Sequence, residues 1–226
     1  MQEQFNEIIK SRDLREITME VVENAIDHEI SSEVLKEIPV LKSIIAVKNI
    51  YTSFSDRIFI KKAIKALLEL ADVSAEERSN LESELTDDET KGSEKILLAI
   101  DQLETFEKCK VYGRLCKLRI QNRISIDDFL RLTKLIQDAY LDDLILVTDF
   151  KSGERKEIHE GEYYSILTLG LIYQEPSEQK PIKINHRRYN EYDDEISGGE
   201  IKFNYVLSDL GQILNEIYFE LFPKSN

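Results

Sequence analysis

Apolar residues recur every three or four positions through most of the first 140 residues and alternate only near the end. The first spacing predicts amphipathic helices, the second predicts strands. Leu14, Ile17, Val21, Val22, Ala25 and Ile26 mark a helix over 14–30, with Asp13 as N-cap and Glu16 completing a capping-box-like pattern. "SSEVLKEIPVLKSIIAVKNIY" predicts a second helix opening at Ser31 or Ser32, kinked or restarted by Pro39. A third opens at Ser53 or Ser55 and carries the stripe Ile60, Ile64, Leu67, Leu68 and Ala71. Ser74 starts a fourth, which ends in the acidic turn "TDDETKGS".

From Ser93 to about Asn122 the positions Ile96, Leu97, Ile100, Leu103, Phe106, Val111, Leu115 and Leu118 predict one long helix or a broken pair. "RISIDDFLRLTKLIQDAYLDDLILV" predicts another helix capped by Ser125, with Asp127 and Asp128 at the positive end of its dipole.

The pattern changes at "DFKSGERKEIHEGE", residues 149 to 162, which is polar and holds two of the eight glycines. The expected boundary lies there, between a part spanning 1–150 and a part spanning 151–226. A helix is expected over about 161–171. "PIKINHRRY" alternates Ile182 and Ile184 with polar neighbours, and "GEIKFNYVL" alternates Ile201, Phe203 and Tyr205. Both read as strands, with "SGG" at 197–199 as the turn signal between them. A last helix starts at Ser208. Helix, strand, wing, strand, helix is the order of the back half of a winged helix. The expected fold is therefore mainly α: an N-terminal helical bundle followed by a small α+β winged-helix-like module.

Composition agrees with helices, since 8 Gly and 4 Pro are too few for a turn-rich all-β chain of 226 residues. No internal repeat of 20 to 50 residues is visible. The net charge of −14 repels nucleic acid and anionic membranes at long range. The acidic N-terminus does not read as a secretory signal, and no window approaches ~18 consecutive apolar residues, so a cytoplasmic location is expected. Cys109 and Cys116 lie two helical turns apart, about 10 Å, beyond the reach of a disulfide, and free thiols are expected.

A winged helix that reads DNA needs base-reading side chains on its recognition helix and cations for the phosphates. The candidate helix "EGEYYSILTLG" has no Lys, Arg, Asn or Gln. Residues 126–226 hold 11 Lys plus Arg against 20 Asp plus Glu, a net of −9, while residues 1–125 carry −5. Only the wing is locally basic, with Lys183, His186, Arg187 and Arg188, and "EYDDE" follows at once. Nucleic acid is therefore disfavoured, and a protein partner is expected to meet the helix that carries Tyr163 and Tyr164.

Catalytic patterns are missing. His28, His159 and His186 are scattered without zinc spacing, and no nucleophile elbow, phosphate loop or dinucleotide fingerprint occurs. The pairs Asp87–Asp88, Asp127–Asp128, Asp142–Asp143 and Asp193–Asp194 arise readily among 44 acids, and helical neighbours point about 100° apart. The expectation is a protein that is not an enzyme, with no cofactor and no metal.

One region reverses the sign. Residues 38–71 carry Lys42, Lys48, Arg57, Lys61, Lys62 and Lys65 against Asp56 and Glu69, a net of +4. Two readings compete. These helices are central core elements whose lysine stems reach out to water, or they form a basic amphipathic surface for a membrane or a partner's groove.

"SFSDRIFIKKAIKALLELADVSAEER", "EKILLAIDQLETFEKCKVYGRL", "SIDDFLRLTKLIQDAYLDDL" and "LGLI…YVLSDLGQIL" together resemble a group of small bacterial proteins, over about residues 30–215. Some relatives of that group sit with abortive-infection or phage-defence genes. The resemblance implies a helical protein with a winged-helix-like end and adds no site residues. The expected role is a non-enzymatic interaction protein, a defence or stress-linked effector or sensor. The alternative is a winged-helix transcriptional regulator.

Overall fold

A computed structural model describes residues 54–157, 161, 163–176, 183–185, 195–197 and 203–223. The helices expected over 14–30 and 31–51 lie outside the described residues, as do Lys42, Lys48, His186, Arg187 and Arg188. The fold is mainly helical, with a small α+β module toward the C-terminus. It divides into two compact units. The first runs to Ala139 and takes up the chain again from Phe219; the second is Tyr140–Tyr218. Residue 150 thus falls inside the second unit.

The described part of the first unit holds five helices: α1 (Phe54–Leu68), α2 (Ala75–Leu85), α3 (Gly92–Gln102), α4 (Phe106–Ile120) and α5 (Ile126–Asp138). Helix α4 is central and packs against α1, α2 and α5. Its Val111, Tyr112 and Leu115 are buried with Phe129 and Leu132 of α5, and the Tyr112 and Phe129 rings lie 6.1 Å apart. Each such side chain contributes about 1.5–3 kcal/mol by leaving water.

Local chemistry sets the helix ends. Ser74 and Glu77 close a reciprocal capping box at the start of α2. Thr105 accepts a hydrogen bond from the Lys108 N–H, which breaks the 93–122 stretch into the pair α3 and α4. Phe106, just inside that cap, is exposed rather than part of the buried stripe. Ser125 caps α5 by accepting from the Asp128 N–H at 3.1 Å. Helix α4 is stopped by Asn122, two residues past its last turn, which takes a left-handed φ of 55°. The Asn122 N–H donates to the Arg119 carbonyl and the Arg123 N–H to the Leu118 carbonyl, the two bonds of a Schellman turn.

Helix α1 differs from its expected stripe. Its buried face is Ala63, Ala66 and Leu67, continuing to Leu70 beyond the helix, while Ile64, Leu68 and Ala71 are only half-buried. The reason is close approach to α4. A Cβ placed on Gly113 would stand 2.3 Å from the Ala66 carbonyl oxygen, so small residues rather than large apolar ones face the contact.

The second unit opens with a 3₁₀ helix, Leu141–Asp149, where a continued α-helix was expected. Leu141, Leu144, Val147 and Phe150 recur every three residues, the 3₁₀ period, and the last three of them are buried. After it come β1 (Lys156–Glu157), α6 (Tyr164–Thr168), β2 (Ile172–Pro176), β3 (Lys183–Asn185), β4 (Glu195–Ser197), β5 (Phe203–Leu207) and α7 (Asp209–Leu221), whose residues from Phe219 onward belong to the first unit. Strands β1, β5 and β2 form an antiparallel sheet in that order, with Lys156 opposite Tyr205 and Gln174 opposite Tyr205 on the other side.

Strand β3 does not pair with the 201–207 segment across "SGG" as the sequence suggests. It forms a separate hairpin with β4, Ile184 opposite Ile196, and β5 returns to β1 and β2. Ser208 starts α7, its Oγ accepting from the Gly211 N–H at 3.1 Å. Gly211 lets α7 approach the Leu171 carbonyl, where a Cβ would stand at 2.0 Å.

Candidate interaction surface

Helix α6 is five residues long, shorter than the expected 161–171, because Gly170 stops it. With φ +70°, Gly170 donates to the Leu167 carbonyl and Leu171 donates to the Ile166 carbonyl. Ile166 and Leu171, the apolar pair that accompanies such a stop, are both fully buried. So short a helix keeps its place through its neighbours. It packs on the 3₁₀ segment and on β2.

Tyr163, immediately before α6, makes the tightest of these attachments. It is only 5% exposed. Its hydroxyl donates to Asp149 Oδ2 at 3.0 Å and accepts from Lys156 Nζ at 3.0 Å. Its ring meets Phe150 edge-on, centroids 5.3 Å apart. The Lys156 ammonium lies 5.0 Å from the Tyr163 ring centre and 5.4 Å from that of Phe150, a cation–π arrangement. The hydrogen bond to Tyr163, helped by the charges of Asp149 and Glu154, holds Lys156 above the ordinary lysine range. Charge-assisted bonds of this kind contribute about 1.5–3 kcal/mol each in favourable settings.

The two tyrosines expected to act together thus have opposite places. Tyr163 is a buried anchor; Tyr164 is 67% exposed. On the adjoining 3₁₀ segment Ile145 is 52% exposed, and Tyr140, just before it, is 81% exposed. Asp142 and Asp149 are also exposed there. Helix α6 thus displays an aromatic side chain, and the segment it packs on displays an apolar one, which makes the two a candidate contact surface. Sequence reasoning missed Asp149, Phe150, Lys156 and Ile145. The three-residue apolar repeat through 141–150 is the signal that could have found Phe150.

Four of the basic candidates, Arg57, Lys61, Lys62 and Lys65, share one helix, α1. Lys61, Lys62 and Lys65 are half-buried on α1, and Lys62 Nζ donates to the Asp101 carbonyl at 3.0 Å, near the C-terminal end of α3. Arg57 lies on α1 and Lys183 in β3, and neither side chain is among the described residues. Other cations are engaged with acids: Arg114 with Glu69 in a two-pronged pair at 3.0 and 3.1 Å, Arg119 with Glu84, and Arg123 with Glu220.

Cys109 and Cys116 are free and buried. Burial pushes the Cys109 thiol up to about 11 and the Cys116 thiol up to about 12, so neither is a nucleophile at neutral pH. A shallow hollow beside α2 is lined by Val73, Ser74, Glu76 and Arg78. Arg78 turns inward there, donating to the Val73 carbonyl. Among the described residues no three His, Cys, Asp or Glu converge as metal ligands, and no helix is long and apolar enough to cross a membrane.

No protein-family model, curated protein or solved structure matches the chain.

Proposed function

We propose that the chain is a non-enzymatic bacterial interaction protein, a phage-defence or stress-linked effector or sensor, that meets a protein partner through the surface carrying Tyr164 and Ile145. The observation that carries this reading is the division of labour between Tyr163, clasped by Asp149 and Lys156, and Tyr164, held out to water. The strand order β1–β5–β2 with its β3–β4 hairpin supports a winged-helix-like module. At the place of a recognition helix, however, stands "YSILT", one and a half turns without the Arg, Lys, Asn or Gln that makes the strong contacts with guanine and adenine edges. Such a helix cannot follow a major groove but can present one or two side chains to a protein.

The test compares wild type with Tyr164→Asp and with Lys61→Glu. Partners captured by wild type are purified and rebound in isolation. Loss of binding in Tyr164→Asp alone supports the surface proposed. Loss in Lys61→Glu alone moves the contact to α1 and opposes it. The transcriptional-regulator reading draws on the hairpin, whose sequence continues from Lys183 into His186, Arg187 and Arg188. Duplex binding in a gel shift, abolished by Arg187→Glu with Arg188→Glu, would establish that reading instead.

A further inference from the structure

The nine-residue 3₁₀ helix Leu141–Asp149 is two to three times the usual run of that geometry. Wound as an α-helix, the same residues would turn about 20° less at each step and the segment would shorten by roughly 4.5 Å. By Phe150 the accumulated difference from Leu141 is about 180°. In the α winding Ile145 joins Leu141 and Leu144 on one face, while Phe150 swings to the opposite one. The two windings therefore exchange an exposed Ile145 for an exposed Phe150.

What selects the observed winding lies at its far end. Phe150 is packed against Tyr163, and Asp149 accepts the Tyr163 hydroxyl, which Lys156 in turn supplies with a hydrogen bond. Each of these contacts needs residues 149 and 150 pointing as the 3₁₀ helix points them. We infer that Tyr163 is a latch, which holds Leu141–Asp149 in the 3₁₀ winding and keeps Ile145 on display. Released, the segment rewinds as an α-helix, withdrawing Ile145 and turning Phe150 outward. Its consequence for partner binding rests on the contact surface proposed above; the rewinding itself needs no partner.

The 226-residue chain offers a direct readout. Its native thiols, Cys109 and Cys116, are buried, so an Ile145→Cys variant gives maleimide labelling that reports position 145. The rate is measured in three backgrounds: otherwise wild type, Tyr163→Phe, which keeps the ring and removes the hydroxyl, and Asp149→Asn, which weakens the same bond from the exposed side. The latch decides the winding only if the α form prevails once the hydroxyl bond is gone, leaving position 145 displayed in about a third of molecules or fewer, so labelling slows by roughly threefold or more in both backgrounds. An unchanged rate overturns the latch. A faster rate also overturns it, because the segment is then opening rather than rewinding. Failure of the contact surface shows separately, as partner binding that survives Tyr164→Asp.

Discussion

Gly113 is where the first unit is most sensitive to one added carbon. A methyl group there would stand 2.3 Å from the Ala66 carbonyl oxygen and 2.9 Å from Glu69 Cβ. Ordinary contact needs about a further ångström between helices, and α1 cannot simply withdraw. Ala63, Ala66 and Leu67 are buried on it, and Glu69 is held by both prongs of Arg114. Overpacking of this kind costs about 1–3 kcal/mol. Against that, Ala is favoured over Gly in a helix by about 1 kcal/mol. With a main-chain atom as the obstacle, the cost belongs at the upper end, and Gly113→Ala is expected to lose about 1–2 kcal/mol net. Urea unfolding followed by far-UV circular dichroism measures it, as a lower midpoint at unchanged slope. A raised midpoint, the result of helix propensity alone, would refute the close approach of α1 to α4.

Other consequences follow from the caps and the core. Glu77 is held below the ordinary carboxylate range chiefly by its hydrogen bonds with Ser74. Its contribution is therefore complete above the unfolded-state range near pH 4.3 and disappears as pH falls through the lower folded value; unfolding midpoints of wild type and Glu77→Gln should differ at pH 7 and converge as the solution is acidified below that folded value. At Asn122, φ 55°, Gly should be tolerated or slightly stabilising while Val costs about 1–2 kcal/mol, read from thermal midpoints. Cys109 and Cys116, raised to about 11 and about 12, should stay unreactive toward a thiol reagent at pH 8 in the folded protein and react fully in urea. A reaction as fast as that of an exposed thiol in the native state would contradict their burial.

Much of this architecture was legible in the chain. Ser74 and Ser125 are capping residues whose chemistry acts within three residues; the Thr105 cap that splits 93–122 was not among the expected ones. The "TDDETKGS" break, the alternating strand near 203 and the start at Ser208 needed nothing beyond local spacing. Free thiols also followed from spacing alone.

Tertiary structure decided what depends on a partner far away in sequence. The buried stripe of α1 lies on the Ala63–Ala66 side because Gly113, some fifty residues on, admits close approach there. The return strand β5 chose β1 and β2 over β3, a choice among edges that a two-residue alternation cannot express. Tyr163 and Tyr164 are the same letter side by side in the sequence. Only Asp149, Phe150 and Lys156, gathered by the 3₁₀ segment and β1, make one an anchor and leave the other facing water. Short-range hydrogen bonding fixed where the helices begin and end; long-range packing fixed which of their residues face water, because that depends on the surface they meet.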